Sequence, residues 1–156
     1  MSENKIINYK STFEFASAFG VVLGLLFVGL ELRHNTEAVE AATFQSLTDA
    51  SNSYLLAIAT NTEVLRTDVQ GHNDPSKLNE LETARFYFIM RSYWLRMQNV
   101  YSHWQRGTLS DHDWDLYKSV LCDKESVTAG QLATFKDHKH ILSPEFIHLI
   151  QKCWNE

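Results

Sequence analysis

The stretch FASAFGVVLGLLFVGL, residues 15–30, decides how the rest of the chain is read. It runs sixteen residues without a charge, and Ser17 is its only polar side chain. Extended to Phe13 and Leu32 it reaches twenty residues. That is about 30 Å of helix, enough to cross a bilayer's hydrocarbon core when Glu14 and Glu31 turn toward the headgroups. A secretory signal peptide would also set Lys5 and Lys10 before an apolar run. It would then show small residues at a cleavage site, whereas Glu31, Leu32, Arg33 and His34 follow directly. The alternative to a span is a buried helix of a soluble bundle, which the marginal length leaves open. The reading adopted is an uncleaved single-pass anchor in the cell inner membrane, with the lipid bilayer as its first partner.

Within the anchor, Gly20 and Gly24 form a GxxxG pair and Gly29 continues a flat stripe on roughly the same side. Such a surface lets helix backbones approach closely in lipid, so helix–helix association through Gly20, Gly24 and Gly29 is expected, with a second copy or another membrane protein. Glycine is also simply common in membrane helices, and the two readings weigh about evenly. Orientation rests on little: Lys5, Lys10 and the amino terminus on one side face Arg33 on the other. The positive-inside rule then favours a cytoplasmic N-terminus and a translocated domain, but two cysteines supply no disulfide framework to support translocation. The side of the helical domain is left uncertain.

Working outward, 156 residues with 44% hydrophobic and 21% charged side chains are too ordered in composition for a disordered chain and suit one compact domain. Six glycines and two prolines are too few turn formers for a many-stranded sandwich or barrel. A net charge of −5 with no cluster of lysine or arginine argues against nucleic acid as a partner. Cys122 and Cys153 allow at most one disulfide and cannot alone make a four-ligand zinc site.

No glycine or proline interrupts residues 31–60, where Val39, Thr43, Leu47, Ala50, Tyr54 and Ile58 recur at helical spacing, so the anchor is expected to continue into the domain. Residues 61–70 carry a short helical pattern in Val64, Leu65 and Val69, and GHNDPS at 71–76 is the clearest break. A long helix should start at Asn79, with Glu82 completing a capping box, and end at Gly107. Its stripe of Phe86, Met90, Tyr93, Met97, Val100 and Trp104 is widened by Phe88, Leu95 and Tyr101, which calls for cover from neighbours. Trp94 and Trp104 are both expected inside, against the helix that leaves the membrane. Ser110 with Asp113 opens a short helix through Trp114, Tyr117, Val120 and Leu121. Another should lie within 126–136 with Leu132 and Phe135 inward, and Ser143–Pro144 should start a terminal helix bearing Phe146, Ile147, Leu149, Ile150 and Trp154. The fold class is therefore all-α: a flank at 1–12, a transmembrane helix at 13–32, and a small antiparallel helical bundle at 33–156.

These elements resemble a family of uncharacterised bacterial membrane proteins. The resemblance is carried by FVGLELRHNTEAVEAAT at 27–43, QNVYSHWQRGTL at 98–109, Trp114 and SPEF at 143–146. Arg33, Asn35, Thr36, Asn99, Tyr101, Gly107 and Leu109 look like the family's recurring positions. The resemblance implies one membrane helix followed by a small helical domain, and no activity. Where the family commonly has an acidic residue before the asparagine, this chain has Gln98, so a catalytic carboxylate is not expected there.

Three sets of residues are candidates for chemistry. His138, His140 and His148, with Asp137, Glu145 or Cys153 nearby, are of types that bind zinc or copper, although the HEXXH spacing is absent. The acidic segment DHDWD at 111–115 suits the first turn of a helix, where carboxylates complement the dipole. Arg96, Asn99 and His103, with Arg91, form a polar seam that would meet Glu37, Glu40 or Asp49 of the first helix; it sets helix register or, less simply, binds an anion. No GxSxG, P-loop, GxGxxG or CxxC motif occurs, so neither an enzyme nor a cofactor is expected. The leading expectation is a membrane-anchored accessory or scaffold protein acting through protein–protein interaction. The alternative is a small membrane-anchored metal- or ligand-binding sensor using the C-terminal histidines.

Overall fold

The computed structural model describes the backbone of residues 3–155 and the side chains of residues 12–154. The side chains of Lys5 and Lys10, on which orientation was argued, lie outside the described residues. The chain is all-α: α1 (Glu3–Ala59), α2 (Thr62–Asn73), α3 (Glu80–Gln105), α4 (Asp111–Cys122), α5 (Ala129–His138) and α6 (Pro144–Asn155), with single 3-10 turns at Pro75–Lys77 and Lys139–Ile141 and no strand among the described residues. It divides into two compact units, residues 1–39 and 40–156, so the boundary falls beyond the expected end of the span at Leu32.

In the first unit, every described side chain from Thr12 to Val39 is exposed, including Phe15, Phe19, Leu25 and Phe27. The apolar run is thus the surface of its helix and not a core element of this chain. A helix of this length and composition is able to cross a membrane.

The second unit is built on caps that the side chains supply. At Asn79 the capping box is complete: Glu82 N–H donates to Asn79 Oδ1 and Asn79 N–H donates to Glu82 Oε2, both at 3.0 Å. These contacts, with Arg66 alongside, hold the Glu82 carboxyl below the usual carboxylate range. Ser110 Oγ accepts from Asp113 N–H at 3.1 Å to open α4, and Ser143 Oγ accepts from Phe146 N–H at 3.3 Å to open α6. Thr128 and Gln131 make a second capping box that starts α5 two residues after the expected position of Ser126. α3 stops where Gly107 takes φ 68°, a left-handed conformation that side chains resist.

α3 is the axis of the core. Phe86, Met90, Trp94, Met97, Val100 and Tyr101 are buried along it, against Leu47 of α1, Trp114 and Leu121 of α4, Phe135 of α5, and Phe146 and Ile150 of α6. The indole of Trp94 donates to Thr134 Oγ1 at 3.3 Å and lies 5.2 Å from Phe135 and 6.0 Å from Trp154, so α5 and α6 cover it, and not α1 as expected. Trp104 is only half-buried: it stacks on Trp114 at 5.1 Å and donates to Asp111 Oδ1 at 2.8 Å. It is the last residue but one of α3, where the helix runs out of the bundle's cover. Leu132, expected inward, is exposed, and α2 buries Thr67 and Gly71 while Leu65 and Val69 are exposed. The reason is close approach of α2 to α5: a methyl on Gly130 would meet the Gly71 carbonyl and the Phe86 ring. Two glycines therefore bring α2 and α5 together at backbone contact.

Cys122 and Cys153 form a disulfide, with Cα atoms 4.9 Å apart, that ties the end of α4 to the end of α6. Beside it the Trp154 indole donates to Leu121 O at 3.2 Å.

Candidate ligand cavity

The C-terminal part of α1 faces the bundle with one stripe of alternating character: Phe44, Thr48, Ser51, Leu55 and Ile58 recur every three or four residues. Opposite them stand Leu65, Asp68 and His72 of α2, at the same spacing, and Tyr93, Arg96 and Met97 of α3. Leu116, Tyr117 and Val120 of α4 form the third wall. Together they enclose about 770 Å³, within the range that small-molecule sites occupy, and the lining is mostly apolar with a few convergent polar groups.

Those polar groups are incompletely paired. The Arg96 guanidinium donates through Nη1 to Ser51 Oγ at 2.9 Å, and sits 4.6 Å from the Tyr54 ring centroid and 5.8 Å from that of Tyr93. Both distances are within cation–π range. Its Nε is buried without a hydrogen-bond partner, and no carboxylate pairs with it among the described residues. Asp68 Oδ1 is likewise buried and unpartnered; His72 Nε2 lies 3.5 Å away and supplies an opposite charge only when protonated. His72 Nδ1 is 2.9 Å from Thr128 Oγ1, so the α5 cap and the cavity wall share a side chain. Burial pushes the Tyr54 phenol far above its usual range, with the Asp68 charge adding to the rise and Arg96 opposing it. Tyr93 moves the same way for the same first reason. Both phenols are therefore neutral at physiological pH, and the Tyr54 hydroxyl donates to Ile89 O at 3.5 Å.

The sequence-predicted residues fare unevenly. Of the polar seam, Arg96 lines the cavity, but its partner is Ser51, while Glu37 bonds Arg33 at 2.8 Å and Asp49 bonds Gln45 at 2.9 Å within α1 itself. Asn99 is exposed and His103 Nδ1 meets Thr108 Oγ1 at 2.9 Å, so Arg96, Asn99 and His103 do not act as one network. Glu37 and Asp49 are each satisfied by a neighbour one turn away, which removes them from the seam. His138 is fully buried, its Nδ1 2.7 Å from Thr134 O and its ring stacked on Tyr87 at 4.4 Å. His140 and His148 are exposed, Cys153 is in the disulfide, and no group of three or more His, Cys, Asp or Glu is placed to hold a metal among the described residues. Gly20, Gly24 and Gly29 have open space where a Cβ would stand. Asp111 and Asp113 stand in the first turn of α4 as expected, with Asp113 Oδ2 accepting from the Ser110 hydroxyl at 2.7 Å.

Sequence reasoning missed Ser51, Asp68 and His72, and took Tyr54 only as one of the residues at helical spacing along the first helix. The signal was present in the four-residue spacing of Asp68 and His72 on a short helix whose apolar residues face outward. Compared with family models, with curated proteins and with solved structures, the chain finds no match, and its function is argued from its own residues.

Proposed function

We propose that this chain is a membrane-anchored binding protein: a single-pass inner-membrane helix carrying a helical domain that takes up a small molecule. The observation that carries this reading is the cavity of about 770 Å³, lined mostly by apolar side chains with Ser51, Asp68, His72 and Arg96 among them. This is the ligand-binding alternative moved from the C-terminal histidines to the inner wall of α1.

The Cys122–Cys153 disulfide favours placing the domain on the oxidising side of the membrane, where such bonds persist, in line with the lysine bias toward a cytoplasmic N-terminus. Retention of the protein in the membrane pellet after a carbonate wash tests the anchor; recovery in the supernatant refutes it. Native mass spectrometry of the full-length protein, released from detergent, tests the cavity. Wild type should retain a bound small molecule that Leu116→Trp, which fills the cavity from α4, loses. Equal retention by both, or none by either, refutes the binding reading.

A second reading, an accessory or scaffold protein, is favoured by one feature. Leu81, Phe88 and Leu95 stand seven residues apart on α3 and are 69%, 65% and 40% exposed. An apolar stripe at this spacing suits a partner helix. Phe88→Glu should then abolish co-purification of a specific protein from native membranes, and an unchanged set of co-purifying proteins refutes it.

A further inference from the structure

α3 is apolar on more than one side, and a helix of that kind calls for cover on each apolar side. Neighbours reach it from three directions: Arg85 bonds Glu63 and Thr67 of α2, Tyr87 stacks on His138 of α5, and Arg96 bonds Ser51 of α1. One face is left open, and along it stand Leu81, Ala84, Phe88, Ser92 and Leu95, all exposed. The order of sizes is the same read from either end: Phe88 at the centre, a small residue four positions to each side, a leucine seven positions to each side. Resting on the second reading above, of this stripe as an interaction surface, we propose that its partner is α3 of a second copy of this chain, packed antiparallel about a two-fold axis at Phe88.

A face with this symmetry is complementary to itself, which a two-fold contact requires. Antiparallel pairing sets each Leu81 against Leu95 of the second copy and Phe88 against Phe88. It brings Ala84 opposite Ser92, and two small side chains there let the helix axes approach to about 8 Å. The charges select the same direction. Glu80 and Arg91 are eleven residues apart, about three turns, so they lie on one flank of the stripe. Neither forms an ion pair among the described residues. In the antiparallel pair each Arg91 lies within about 8 Å, along the axis, of Glu80 in the second copy, with the small Ala84 of that copy beside it, and the two side chains span that gap. A parallel pair in register sets Arg91 level with Arg91 and about 16 Å along the axis from Glu80, so no charge meets its opposite. Exposed ion pairs add little affinity and act on orientation, while the affinity comes from the six large apolar side chains taken out of water.

The test uses two differently tagged full-length copies in the membranes of expressing cells, one carrying Ala84→Cys and the other Ser92→Cys. A bifunctional thiol reagent spanning about 5 Å should join them, because the pair places these positions opposite each other. The same substitution in both copies sets the thiols about 12 Å apart along the axis and should yield at least five-fold less product. Wild type, whose two cysteines are joined to each other, gives the background. Phe88→Glu in both copies puts like charges on the two-fold axis at an exposed position and should lower the yield about ten-fold, with circular dichroism unchanged. Arg91→Glu should lower it about three-fold, and Glu80→Arg with Arg91→Glu should restore it, a rescue that a merely structural effect does not produce. The yield should persist with Gly20→Ile and Gly24→Ile in both copies; its loss there assigns the association to the anchor and overturns the proposal. Equal product from Ala84→Cys in both copies, or no rescue by the exchanged charges, overturns the antiparallel arrangement. Maleimide reactivity of Ala84→Cys separates the remaining failures. No crosslink with the thiol shielded from maleimide overturns the second copy as partner and leaves the interaction-surface reading standing. No crosslink with the thiol fully reactive overturns both.

Discussion

Replacing Cys122 and Cys153 with serine isolates the covalent link between α4 and α6. The bond closes a chain segment with a sequence separation of 31 residues. For a loop of that length the chain-entropy relation places the stabilisation at about 3–4 kcal/mol, exerted mainly by restricting the unfolded chain. The adjacent Trp154–Leu121 hydrogen bond and the packing of Phe146 and Ile150 remain in the variant, so the native geometry of α6 is not expected to collapse. With a urea dependence of about 2 kcal/mol per M, the unfolding midpoint should fall by roughly 1.5–2 M. Urea unfolding of the full-length protein in mild detergent, followed by tryptophan fluorescence, measures this directly: oxidised wild type beside Cys122→Ser/Cys153→Ser and beside wild type in reductant. The variant and the reduced wild type should coincide. A midpoint shift below about 0.3 M, or two thiols that react with maleimide in unreduced protein from native membranes, would refute both the stabilising role of the bond and its use as a marker of the oxidising side.

Truncation of Trp94 to alanine should destabilise the domain by about 3–5 kcal/mol, since the side chain is fully buried, whereas half-buried Trp104→Ala should cost about 1–2 kcal/mol, both read by the same urea titration. Equal costs would contradict the assignment of α5 and α6 as the cover of Trp94. Gly130→Ala should destabilise by about 1–3 kcal/mol through overpacking against the Gly71 backbone, and a neutral result would show that α2 and α5 stand further apart than described. Gly20→Ile with Gly24→Ile should shift full-length protein toward monomer in crosslinking or light scattering if the open glycine face mediates association, and an unchanged mass would dissociate those residues from assembly.

The elements were legible because their ends are written in side chains that satisfy backbone donors. Asn79 with Glu82, Ser110 with Asp113, and Ser143 before Pro144 each appear where the residues place them, and Gly107 ends α3 for a conformational reason that no other residue shares as well. What was not legible is the facing of short helices. In α2, Val64, Leu65 and Val69 mark the helix but not its buried face, because the decisive contact is glycine against glycine, and glycine carries no hydropathy signal to a pattern search. Leu132 was misassigned for a related cause: a helix of ten residues has too few turns for its apolar stripe to outweigh the geometry of its neighbours.

The cavity was illegible for a different reason, since it depends on pairings absent from the sequence pattern. Arg96 looked like one member of a seam with Asn99 and His103 because one-turn spacing aligns them, yet the seam needed carboxylates that α1 keeps for its own Arg33 and Gln45. Their local satisfaction leaves Arg96 without a counter-ion, held by a serine hydroxyl and two aromatic faces. A residue whose whole task is register has no need of this arrangement, because a well-packed apolar side chain at the same place does as well or better for stability. Asp68 repeats the logic from the other wall, with a carboxylate whose nearest cation is a histidine at 3.5 Å. Arg96 and Asp68 line the same cavity and form no ion pair with each other, and the proposed ligand reading gives both charges a use that register alone does not.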